Sequence, residues 1–163
     1  MLTIALAIIV GVGVFGAVWF NVTKNTNNIF GKGTAMTFTP DDGKGGTVPF
    51  DLRHERYMKI AEVVTTLASA SVIFVPSSRL SAYPHSCAFT IILLGFSVFY
   101  CIGFMVALTY FYEEFLYFKS SYSALKYGVV HAPGLGGLFC FAFAYIALAM
   151  RVGWALMYTA PSN

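Results

Sequence analysis

Four apolar runs, each long enough to cross a bilayer, alternate with polar stretches along the chain, at about 2–22, 60–76, 87–112 and 128–150. Leu2 to Val22 carries no charge; at about 1.5 Å per residue it spans the roughly 30 Å of hydrocarbon in a bilayer. The second run is fed without a breaker by a charged collar, DLRHERYMK, beginning at Asp51, the expected N-cap, and it stops at Pro76. At helical periodicity one stripe of that segment holds Glu62, Thr65, Thr66, Ser69 and Ile73, and the other side holds Ile60, Val64, Leu67 and Phe74. The pattern predicts one polar and one apolar face.

The third run, Cys87 to Tyr112, is about 39 Å long at the helical rise and must tilt or project. The fourth, Gly128 to Met150, has Pro133 in its first turns and is closed by Arg151. Trp154 and Tyr158 are placed to anchor any continuation at the headgroups. Small residues recur at helix-packing spacing: Ala7 with Gly11, Gly13 with Ala17, Gly103 with Ala107, and Gly128, Ala132 and Gly136 in strict steps of one turn. The fold class is therefore all-α, a four-helix transmembrane bundle.

Between the runs, residues 23–59 open with a Gly-, Asn- and Asp-rich stretch that reads as loop, PSSRLSAYPHS is a proline-broken connector, and 113–127 is an aromatic and charged interfacial segment. Familiar motifs fail on context. Gly11, Gly13 and Gly16 spell GxGxxG, but inside an apolar helix with no preceding strand, and neither GKGT nor GKGGT completes a phosphate-binding loop. A cleaved signal peptide is not expected, because no basic region precedes the first run and no small-residue cleavage site follows it.

Composition sharpens the class. With 58% hydrophobic and 10% charged residues, and a mean hydropathy of +0.72, the chain lies far from soluble proteins, about half apolar and a quarter charged. The net charge of +3 matters less than its placement. Of ten basic residues, Lys24, Lys32, Lys44, Arg53, Arg56, Lys59, Lys119 and Lys126 fall in the loops 23–59 and 113–127, and only Arg79 and Arg151 fall on the other side. The positive-inside rule then puts both termini on the outer side and both basic loops in the cytoplasm or matrix. A bacterial inner membrane or an organellar inner membrane is the expected location. Nothing favours nucleic acid as a partner.

Little chemistry is available. Cys87, Cys101 and Cys140 form no CxxC pair and read as packing residues. No catalytic motif, metal-ligand set or haem-binding histidine pair is present, so neither an enzyme nor a cofactor is expected. The one constellation is Glu62, Glu113, Glu114 and His131, all near the basic end of their helices, as a candidate ion or proton site. Thr65, Thr66 and Ser69 would extend it into a polar path. Two function classes follow. The first is a non-catalytic accessory subunit packed against other membrane subunits; the alternative is a homo-oligomeric channel or small transporter using helix two. The expected partners are the lipid bilayer, and either other subunits or copies of the chain.

Overall fold

The computed structural model describes residues 2–29, 50–77, 84–118 and 124–158. Within them the protein is all helical: α1 (Leu2–Ile29), α2 (Phe50–Ser77), α3 (Pro84–Phe118) and α4 (Ala124–Tyr158). Each contains a segment long and apolar enough to cross a membrane, namely Leu2–Lys24, His54–Ser77, Pro84–Glu114 and Gly128–Trp154. This is the architecture of a multi-pass membrane protein.

Every helix outruns the apolar run that marks it, because hydropathy reports solvent preference whereas helix ends depend on local bonding. α1 continues past Val22, through residues expected to be loop, to Ile29. Its polar side chains bond back to their own helix: Asn21 Nδ2 donates to the Ala17 carbonyl at 3.0 Å and Thr23 Oγ1 to the Trp19 carbonyl at 2.7 Å. α2 starts at Phe50, one residue before the expected cap Asp51. Pro84 opens α3 rather than lying in a connector that stops it; at the first helical position a proline loses no hydrogen bond and its fixed φ suits the helix. α3 and α4 each have 35 residues, about 52 Å at the helical rise. Because α4 begins at Ala124, Pro133 lies in its interior and not in its first turns, and the helix runs on through it. Such breaks are tolerated where neighbouring helices and local adjustment satisfy the backbone.

α3 is the hub. It packs against all three other helices, most extensively against α4, while α1 flanks the α3–α4 pair and α2 lies chiefly on α3. The buried positions of α3 show why it occupies the centre. Thr90, Ser97 and Phe104 recur at heptad spacing, as do Leu94, Cys101 and Leu108, which is the pattern of knobs packed between nearly aligned helices. Tyr100 fills the side toward α1, its hydroxyl donating to the Gly11 carbonyl at 3.2 Å and its ring stacked on Phe15 at 5.2 Å.

Glycines decide how close the helices come. A Cβ on Gly11 would stand 2.5 Å from the Phe96 ring, so only a bare backbone admits that ring against α1. Gly128 meets Thr23 and Gly136 meets Phe15, equal steps along α4 and back along α1, with Ala132 fully buried between them. An approach of backbone to backbone lies one residue further on. A Cβ on Gly137 would lie 2.7 Å from Cys101 Sγ and 3.2 Å from the Ser97 carbonyl oxygen. There Ser97 Oγ donates to the Gly137 carbonyl at 2.9 Å, a buried bond between two helices. Gly13 and Gly103 have open space where a Cβ would stand, so neither mediates close packing within the chain.

These contacts set the sign of two substitutions. Gly137→Ala is expected to destabilise the bundle by about 1–3 kcal/mol through overpacking against backbone that cannot yield. Gly136→Ala, whose new Cβ would meet only ring atoms at 3.6 Å, should be neutral or gain up to about 1 kcal/mol from helix propensity. Denaturant unfolding in detergent micelles measures both, and equal costs would contradict this packing.

Candidate functional site

The residues of the candidate ion site lie toward the end of the bundle where α2 and α4 begin. Glu62 is exposed on α2 and Glu113 is exposed on α3, beside Thr109 and Tyr110, while Glu114 is half-buried. Among the described residues no group of three or more His, Cys, Asp or Glu is placed to hold a metal ion. His131 lies instead among rings. Its imidazole meets Tyr57 edge-on at 5.6 Å and Phe104 at 6.2 Å, and its chain neighbours Val130 and Ala132 are fully buried. Nearby on α2, His54 stacks on Tyr112 of α3 at 4.4 Å.

The stripe on α2 is turned away from the interior. The line that packs inward is Ala61, Val64, Ala68 and Val75, small or β-branched residues that let α2 approach α3 closely. Glu62, Thr66 and Ser69 are exposed on the surface of the chain, and Ile60, Leu67 and Phe74 are exposed on the other flank. The expected division into a polar and an apolar face is therefore replaced by a narrow apolar seam with exposed flanks on both sides. Only Thr65 of the hydroxyl stripe turns inward, where its Oγ1 is buried next to the Cys101 thiol. Among the described residues no polar path follows α2 through the core of the single chain. Large side chains from α3 and α4 close it, with Leu93, Leu94, Leu108 and Val130 fully buried.

The structure has an apolar site nearby. A cavity of about 130 Å³ lies where α2 and α4 diverge across α3. Ala61 and Val64 of α2, Cys101 and Phe104 of α3, and Gly134 and Leu138 of α4 form its walls, with the Tyr57 and His131 rings at one end. Tyr57 to Val64 and His131 to Leu138 are matched lengths of about 10 Å, so the cavity runs along the helices rather than across them. Sequence periodicity had no means of finding it, because the cavity is a mismatch between three surfaces; the one local trace is Gly134, where a Cβ would come within 2.8 Å of the Phe104 ring.

Cys87, Cys101 and Cys140 are all buried and form no disulfide. No protein-family model matches the chain, and comparison with curated proteins and with solved structures finds no match.

The cavity yields a paired expectation. Ala61→Leu places methyl groups into existing space and should raise stability by about 1 kcal/mol. Ala68→Leu, at a fully buried position in a closed core cluster, should cost about 1–3 kcal/mol. Thermal unfolding of the two variants, compared in one detergent, distinguishes a real cavity from tight packing.

Proposed function

We propose that the chain inserts with four spans, places both termini on the outer side and its basic loops in the cytoplasm or matrix, and works as a non-catalytic accessory subunit of a larger membrane complex. The carrying observation is the outward face of α2. Glu62, Thr66 and Ser69 lie on the surface of the bundle, beside exposed Val63 and Ile73. A carboxylate within a candidate span is costly against hydrocarbon. A second protein surface there would relieve that cost by pairing it. Gly13 and Gly16 on α1, and Gly95 and Gly103 on α3, have open space above them, which suits close approach by helices from outside the chain. The filled core supports a packing role over transport through a single chain.

A second reading rests on the same outward stripe. In a ring of identical chains Glu62, Thr66 and Ser69 would face one another and line a path between copies, making the protein a homo-oligomeric channel or small transporter. Purification in mild detergent separates the two: a stoichiometric complex with different subunits favours the accessory role, and a homo-oligomer favours the channel. In liposomes holding the purified chain, a channel would show ion or proton flux that Glu62→Gln reduces without changing abundance or oligomeric state. Absence of flux above empty liposomes removes that reading.

The orientation has its own test. Cysteine at Met157, which is well exposed at the end of α4, should react with an impermeant thiol reagent applied to intact cells or organelles, and cysteine at Lys24 should react only after permeabilisation. The opposite pattern would overturn the sidedness.

A further inference from the structure

The opposite end of the bundle, where α1 starts and α4 finishes, holds a cleft of about 480 Å³ with a polar rim and an apolar floor. Three helices build it at one level. Thr3 comes from the first turn of α1, His85 and Ser86 from the first turn of α3, and Arg151 and Trp154 from the last third of α4. Thr3 Oγ1 stands 3.4 Å from His85 Nδ1 and ties two of these helices together at the rim. Deeper in, the walls become hydrocarbon: Leu6, Phe89, Ala147 and Met150. The volume lies in the range of small-molecule sites, roughly 300–1,000 Å³.

Charge identifies the occupant. Among the described residues the carboxylates lie toward the other end of the bundle, Glu55 and Glu62 in the first half of α2 and Glu113 and Glu114 at the close of the candidate span of α3. The cleft therefore presents a guanidinium, an imidazole and two hydroxyls, with no acidic side chain among the described residues that line it. Arg151 also closes the apolar run of α4, a position from which, in an inserted bundle, a long basic side chain extends toward the headgroups. A guanidinium fork matches phosphate oxygens in two parallel hydrogen bonds. The N–H groups in the first turn of α3 add to the attraction for an anion.

We propose that this cleft binds an anionic phospholipid from the leaflet that faces the termini, its phosphate held by Arg151 with His85, Thr3 and Ser86, and an acyl chain laid along Leu6, Phe89 and Met150. The shared chemistry is that of a phosphate ester anion, and the apolar floor selects the lipid over free phosphate. The inference needs only the inserted bundle and is independent of both assembly readings. Failure of insertion would show separately, as protein released from membranes by alkaline carbonate.

The chain provides its own reporter. It has two tryptophans, Trp19 and Trp154, at opposite ends, so Trp19→Phe leaves Trp154 at the cleft as the sole emitter. This variant is reconstituted in phosphatidylcholine vesicles containing a small fraction of brominated-chain phosphatidylglycerol, or the same fraction of brominated-chain phosphatidylcholine. The anionic lipid should be preferred at Trp154 by about fivefold, the factor for one basic side chain at an anionic lipid surface. Arg151→Gln should bring the two lipids to parity, and Arg151→Lys should retain part of the preference. Equal quenching by the two lipids, no quenching by either, or an undiminished preference in Arg151→Gln overturns the proposal. Should Arg151→Gln not reach the membrane, the ratio in the Trp19→Phe protein still decides. Inorganic phosphate added against chloride at equal ionic strength should leave the preference in place; its loss would assign the site to free phosphate and overturn the lipid.

Discussion

The contact of Gly137 with Ser97 and Cys101 fixes the distance between α3 and α4, and the remaining helices are arranged around that pair. In a bilayer, apolar side chains gain nothing by leaving lipid for protein, so helices associate through close packing and interhelical hydrogen bonds. This site has both. The absent side chain of Gly137 brings α4 onto the backbone of α3, and the Ser97 hydroxyl donates to the carbonyl that this approach exposes. α1 follows from the geometry it creates, since Tyr100 is held where its hydroxyl meets the Gly11 carbonyl and its ring meets Phe15.

The same crossing accounts for the cavity beside α2. With α4 drawn tightly onto α3, α2 packs on α3 through Ala61, Val64 and Ala68 and has little contact with α4. Away from the crossing they are joined through Ser71 and Tyr145, whose hydroxyls share a hydrogen bond. Near the start of both helices the rings of Tyr57, Phe104 and His131 meet across the gap. The imidazole that the sequence associates with carboxylates is thus surrounded mainly by aromatic surface.

The two ends of the bundle differ in chemistry although each carries basic residues. Among the described residues, one end carries Lys24, Arg56 and Lys59 together with Glu55, Glu62, Glu113 and Glu114, so charges of both signs share it. The other end presents Arg151 and His85 over an apolar floor. That contrast makes the cleft between α1, α3 and α4 selective for an anion supplied from outside the chain, and it places the exposed carboxylate of α2, Glu62, at the opposite pole.

Four helices, their order and their apolar lengths were legible in the sequence, because an uncharged run of membrane length has its backbone groups satisfied most directly as a helix. Several packing residues were legible too: Gly11, Gly128, Ala132 and Gly136 are buried where their spacing places them. Which face of α2 turns inward was not. Hydropathy contrast marks a buried face when the surroundings are water, but in a bilayer core and surroundings are equally apolar, and steric fit selects the seam. Small size at Ala61 and Ala68 outweighed the polar-to-apolar division around them. Gly137 rather than Gly136 as the point of backbone approach, the outward direction of Gly13 and Gly103, and the meeting of Thr3, His85 and Arg151 from three helices were likewise decided only by tertiary packing. Each depends on the rotation of one helix relative to another, a quantity that no single helix encodes.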